Sequence, residues 1–253
     1  MDTRLQELVE NIDDYTIGLD DTFSFKCRGC GKCCKQREDI ILSSKDIFRM
    51  SKHLNITPDK LILEFCDTYV GADSRIPIVR IAPRGVNRVC PFLEGRRCKV
   101  HESKPVVCAL YPVGRMVKIE KTTEALDPDL PISAGYIIQP TECGSITRTH
   151  TVRSWLEKFH VPTEDEFYIL WNQTIFLLTS AISRLEKQGF PEHMLKTVWN
   201  VLANLLYVNY DLSKEFLPQF ASNKAKIQEL VVLLLKWDDA PLESVLEDEV
   251  DGE

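Results

Sequence analysis

No stretch of 18 consecutive apolar residues occurs in this 253-residue chain. The most apolar segment, Phe167 to Ile182, is interrupted by Asn172, Gln173 and Thr174. That pattern predicts a buried helix and no membrane span. Met1-Asp2-Thr3-Arg4 is polar and no apolar signal-type stretch follows. The expected location is therefore the cytoplasm, whose reducing conditions keep thiols free. No internal repeat or low-complexity tract occurs. Cysteine is absent after Cys143, and Lys and Arg are absent from residues 238–253, which carry eight acidic side chains. Without that tail the charges are 31 basic against 30 acidic, so the formal net charge of −7 belongs to the tail. A near-neutral body with no basic stripe in its helical half argues against nucleic acid as a partner. The tail is expected to be solvated and mobile. The remaining composition, 44% hydrophobic and 27% charged, is that of a globular protein. The length suits one large domain or two closely packed ones.

Cysteine is what the first 145 residues have in excess. Cys27-Arg28-Gly29-Cys30-Gly31-Lys32-Cys33-Cys34 reads C-x2-C-x2-C-C, with two glycines that let the backbone fold tightly. Cys90-Pro91-Phe92-Leu93, Cys98, Cys108 and Cys143 follow. Thiolates spaced in this way can converge on a soft metal centre. Three x2-spaced thiols with a remote Cys-Pro partly match the run that holds a [4Fe–4S] cluster, which is the preferred reading. Paired C-x2-C spacing also suits tetrahedral Zn2+. Adjacent Cys33 and Cys34 are expected to point in different directions, serving two centres or leaving one thiol free. Extracellular disulfides fit poorly, because the cysteine count of nine is odd. Buried structural thiols are the other alternative, and the Gly, Pro and turn settings favour metal over them.

Along the chain, Leu5, Leu8, Val9 and Ile12 predict a short amphipathic helix. Thr22 to Phe25 and Ile78 to Ile81 predict strands, and Asp39 to Leu42 a short extended piece. Ser43 or Ser44 caps a helix carrying Ile47, Phe48 and Leu54. Thr57-Pro58 starts another through Tyr69, with Cys66 among its apolar neighbours and outside the site. Cys90 to Val100 predicts a turn of chain around Glu94-Gly95, and Glu102 to Cys108 one helical turn or two. Arg115–Glu120 and Ala134–Gln139 predict a strand pair. Residues 151–236 predict three packed helices, the first begun by a Thr163–Glu166 capping box and ended by Gly189. The fold class is therefore α+β: a small irregular cysteine-rich metal-binding domain over residues 1–150, with short strands and helices, packed against a helical bundle over residues 151–237. The acidic tail completes the chain at 238–253. A small domain with so little core of its own would draw stability from a metal.

Lys26, Arg28, Lys32, Lys35 and Arg37 surround the first cysteines. Arg84, Arg88, Arg96, Arg97, Lys99 and Lys104 surround the second group. Such cations offset the net negative charge of thiolates on a metal; an anionic, nucleotide-like ligand is the alternative use. His101 is a ligand or second donor in one reading and a surface histidine in the favoured one. Tyr111 could donate to a sulfur, though its Tyr-Pro setting equally makes a turn.

Taken together, Cys27-x2-Cys30-Gly31-x-Cys33-Cys34, Cys90-Pro91-Phe92-Leu93, Cys98-x-Val100-His101-Glu102-x-Lys104-Pro105-x2-Cys108-x-Leu110-Tyr111-Pro112 and Cys143 resemble the CxxCxxCC cysteine-cluster family. The resemblance covers about residues 23–145. It implies a zinc- or iron-chelating domain with eight metal-ligand candidates: Cys27, Cys30, Cys33, Cys34, Cys90, Cys98, Cys108 and Cys143. Larger relatives of that family include flagellin lysine N-methylases, so the resemblance also implies a protein-lysine N-methyltransferase using S-adenosylmethionine and a protein substrate as an alternative function. Ala109 stands where the family pattern leads one to expect arginine. Neither a Gly-rich strand–turn–helix for that cosubstrate nor the radical pattern C-x3-C-x2-C is present. A third alternative is a metal-stabilised adaptor that binds a partner through its bundle or tail. No catalytic residue is assigned.

Overall fold

The computed structural model describes residues 10–119, 126–141 and 143–237. The helix expected around Leu5 to Ile12 falls largely outside them, as does the acidic tail. What is described of that helix is α1, Ile12–Tyr15.

The cysteine-bearing half is built from short pieces. Strand β1 (Thr16–Ile17) leads to β2 (Thr22–Lys26), whose alternating burial puts Phe23 and Phe25 inside. The first cysteine loop follows. Helix α2 (Ser44–Leu54) starts at Ser43 in a full capping box with Asp46. Helix α3 (Pro58–Phe65) has Thr57 before it and proline at its first position, as expected. It stops at Phe65. Cys66 opens strand β3 (Cys66–Val70), which pairs antiparallel with β4 (Pro77–Ile81). The expectation that Cys66 rides a helix to Tyr69 is thus corrected. Thr68 and Val70 are β-branched, and pairing with β4 outweighs the helical spacing of Phe65 and Tyr69.

Strands β5 (Leu93–Glu94) and β6 (Arg97–Cys98) form the expected turn of chain. Helix α4 (Val106–Leu110) is one short piece. Strands β7 (Val113–Ile119) and β8 (Ile132–Ile138) pair antiparallel, and β1 adds on the far side of β8. Strand β9 (Ser145–Thr151) pairs with β2 and runs directly into α5 (Val152–Lys158), capped by Thr151.

The C-terminal half is helical. Helix α6 (Glu166–Lys187) begins at Asp165, whose carboxylate accepts from Tyr168 N; Thr163 is not its cap. Gly189, at φ 80°, follows its end. Helix α7 (Glu192–Ala203) passes into a π-helical turn at Asn204–Val208. Helix α8 (Phe216–Leu234) closes the bundle.

The architecture is mixed α+β with a cysteine-rich region and a C-terminal helical region. Its largest core draws on both. Leu42, Ile47, Leu61, Val79 and Phe92 pack in one cluster with Leu178, Ile182, Leu202, Leu206 and Ile227. A second core, with Phe23, Phe25, Leu110, Val113, Trp155 and Leu156, lies under the β2–β9 pair. The site is held between these two.

Candidate metal centre

The loop after β2 is bent by two glycines in the left-handed region, Gly29 at φ 61° and Gly31 at φ 71°. A side chain at either would be strained. Gly31 opens a single 3-10 turn, Lys32–Cys34, closed by Cys34 N donating to Gly31 O at 3.1 Å. The turn changes the directions of its side chains. Cys33 Sγ and Cys34 Sγ lie 3.9 Å apart, so the two thiols meet instead of pointing in different directions. Extended backbone would alternate them; a 3-10 turn does not.

A second loop is tied to the first by backbone. Cys90 N donates to Cys34 O at 2.8 Å, and Gln36 N to Arg88 O at 2.9 Å. Lys35 and Val89 form an antiparallel bridge. Phe92 fixes this loop to the main core, 1% exposed and 4.8 Å from the Phe65 ring. Lys99 N returns to Phe92 O at 2.8 Å, and Cys98 stands opposite Leu93 in the β5–β6 register. Arg96 Nε reaches back to Gly29 O at 3.3 Å.

Cys108 arrives on α4, which is held by a buried carboxylate. Asp46, 5% exposed, accepts from Ser43 N and Oγ through one oxygen and from Val106 N at 2.9 Å through the other. One side chain thus caps its own helix and satisfies an otherwise unpaired N–H at the start of α4. The Ser43-x2-Asp46 capping pattern is readable in sequence; the reach to Val106, 60 residues on, is not.

Electrostatics shows which thiols share a neighbourhood. The hydrogen bond with Cys34 holds Cys33 down at about 6, with Arg37 and Lys104 adding in the same direction against burial. Cys34 is pushed up by the same bond, by burial, and by Cys33, Cys90 and Cys108. Burial raises Cys90, with Cys98 and Cys33 adding to it. Burial raises Cys98, with Lys104 opposing. Burial raises Cys108, with Cys90, Asp46 and Cys33 adding and Arg37 opposing. Cys33, Cys34, Cys90, Cys98 and Cys108 thus feel one another's charge.

Of the surrounding cations, Arg37 and Lys104 act on these sulfurs. Arg37 is 11% exposed, bidentate to Asp39 at 2.5 and 2.7 Å, and 5.7 Å from the Tyr111 ring centre. Others serve elsewhere: Arg88 pairs with Glu38, and Lys99 with Glu94 at 3.4 Å.

The remaining candidates sit differently. Cys27 is exposed and its sulfur accepts from Gly29 N at 3.4 Å; Cys30 is half-buried. Cys143 packs against the second core, while Cys90, Cys98 and Cys108 border the first. Its sulfur lies 3.3 Å from Thr141 Oγ1 and 3.9 Å from Tyr111 Oη. Tyr111 and Arg37 stand between Cys143 and Cys108 electrostatically. Cys66, left out on sequence grounds, borders the same core as Cys90 and is raised to about 12 by burial, with Asp67 and Cys90 adding. His101 is exposed, and its proton affinity is lowered first by Lys104.

All nine cysteines are free thiols. The chemistry of these five fits a soft metal: half-buried sulfur donors with two cations, Arg37 and Lys104, acting on them. Among the described residues no three His, Cys, Asp or Glu side chains stand close enough together to hold an ion. The sulfur–sulfur contact among the described residues is Cys33–Cys34 at 3.9 Å.

Residues 26–128 match the model of the CxxCxxCC family, described as a putative zinc- or iron-chelating domain. Over that span the chain is similar to the family that its cysteine motifs resemble. The matched span includes every site candidate except Cys143, the one that the structure places on the other core. No curated protein and no solved structure matches the chain.

Proposed function

We propose that this is a metal-binding protein in which Cys33, Cys34, Cys90, Cys98 and Cys108 hold a [4Fe–4S] cluster in preference to Zn2+. The observation that carries the reading is the mutual electrostatic influence of these thiols beneath two backbone-tethered loops. Cys27 and Cys30, on the exposed glycine-bent loop, are the nearest additional donors in sequence. Both centres take four thiolates, and the cluster is preferred because of the three x2-spaced thiols and the remote Cys90-Pro91. Such a group requires a compartment where thiols stay reduced, the cytoplasm. No helix among the described residues is long and apolar enough to cross a membrane.

Lysine N-methylation and an adaptor role gain no support here. The strand pairings of the described residues are antiparallel, and no crossover of the dinucleotide-binding kind is among them.

The test is anaerobic purification followed by visible spectroscopy and assay of iron and acid-labile sulfide. The cluster reading expects a brown protein with broad charge-transfer absorption and equal iron and sulfide. A colourless protein with stoichiometric zinc supports the zinc alternative. A colourless protein that takes up neither metal overturns both.

A further inference from the structure

Beside the cysteine group, with Lys104 common to the surroundings of both, lies a cavity of about 860 Å³ between α2, α4, α5 and the start of α6. Its size is that of a small-ligand pocket. Its walls are mostly apolar and aromatic, with Val161, Phe167 and Trp171 among them. Its lining carries Lys45, Arg49, Lys104, Arg115 and Lys158 against Asp46, Glu102 and Asp165. Arg115 and Asp165 neutralise each other at 3.0 Å, both 10% exposed. Asp46 is consumed by its caps. Lys104 and Lys158 differ. Their ammonium groups approach the same ring, Phe159, at 4.8 and 5.2 Å from its centre. Among the described residues no carboxylate lies within ion-pair distance of either. Two like charges brought to one aromatic ring at the rim of an apolar cavity repel each other, and an anion between them would relieve that. The lowered proton affinity of His101, caused first by Lys104, registers the same positive field.

We propose that this cavity binds an organic phosphate with a planar aromatic body, of the size of a mononucleotide, its phosphate between Lys104 and Lys158 and its ring against the apolar wall. Phosphate supplies the compact charge that ammonium groups hold well, and the aromatic body fills what phosphate alone would leave empty. The inference does not rest on the metal reading: the cavity is built from side chains other than the cysteines.

The test is calorimetric titration of the full chain with adenosine monophosphate, and separately with adenosine and with inorganic phosphate. Trp171 fluorescence provides a second readout. Saturable binding of the monophosphate, tighter than either fragment, is expected. Lys158→Gln, whose side chain is exposed, should weaken it about tenfold, and Lys104→Gln similarly, as for loss of one charge-assisted contact. Lys196→Gln, outside the cavity lining, should leave it unchanged. No saturable binding of the monophosphate up to about 5 mM overturns the proposal. So does equal binding by wild type and Lys158→Gln when both melt at the same temperature.

Discussion

At the scale of the residue, the cysteines divide by the core they border. Cys90, Cys98 and Cys108 lie on the main core, and Cys143 on the other. Replacing Cys90 or Cys98 by serine is expected to lower metal affinity by about tenfold or more, since losing a direct donor costs at least as much as losing an outer-shell partner. Cys143→Ser is expected to retain metal at the wild-type ratio. Chelator competition measures both. Asp46 makes a separate prediction. Asp46→Ala leaves Val106 N and Ser43 N without their buried acceptor, and the loss should be about 1–3 kcal/mol of stability in urea denaturation. Asp46→Asn, which keeps an acceptor, should recover part of it.

That Ser43 or Ser44 caps this helix was legible in sequence, and the structure gives the role to Ser43 with Asp46. The hold of Asp46 on α4 was not legible, because that contact spans 60 residues and only the fold creates it. The meeting of Cys33 and Cys34 was likewise hidden. Spacing gives the number of thiols, whereas their directions depend on the 3-10 turn that Gly31 opens. Cys66 was misplaced for a related reason: helical periodicity runs through it, but pairing with β4 decides its conformation.

At the scale of the element, the two cysteine loops are unequal. The 90–98 loop is nailed to the core by Phe92, while the 27–34 loop is held by backbone bonds at its end and by Arg96. Metal is therefore expected to order the first loop more than the second. Hydrogen exchange should slow on metal loading at residues 27–34 and change little at 93 and 99, whose N–H groups already donate to Cys90 O and Phe92 O. Equal slowing across the whole chain would contradict this. The β5–β6 turn and the β7–β8 pair were foreseen from local signals, Gly95 and strand periodicity respectively. The start of α6 was displaced by two residues, because Asp165 competes with Thr163 as cap and also meets Arg115.

At the scale of the whole molecule, a core shared by both halves makes the bundle the support of the cysteine region. Tyr207, on the π-helical turn, donates its hydroxyl to Pro77 O on β4 at 3.1 Å, and Trp199 donates to Arg75 O at 2.9 Å. Buried phenols of the same half set an alkaline limit. Burial raises Tyr168 and Tyr210 to about 12. Between their unfolded value near 10 and that level, the unfolded chain releases protons that the folded chain keeps. Stability contributed by these tyrosines is thus complete below the unfolded value and falls as pH rises towards 12. Urea denaturation of metal-free protein should show a declining midpoint across this range, with a shallower decline in Tyr210→Phe. An unchanged slope in that variant would count against the buried phenol as a cause.

The α+β class and the helical half could be read from periodicity, because packing there follows local pattern. What joins the halves could not, since Phe92, Tyr207 and Trp199 carry no mark of their distant partners.

The most direct measurement is the metal-to-protein ratio of the chain purified without oxygen, by elemental analysis. A stoichiometric content of iron with sulfide, or of zinc, that falls in Cys90→Ser and persists in Cys143→Ser is what the gathered sulfurs predict. A folded chain that carries no metal, and gains none when either is supplied, would contradict it.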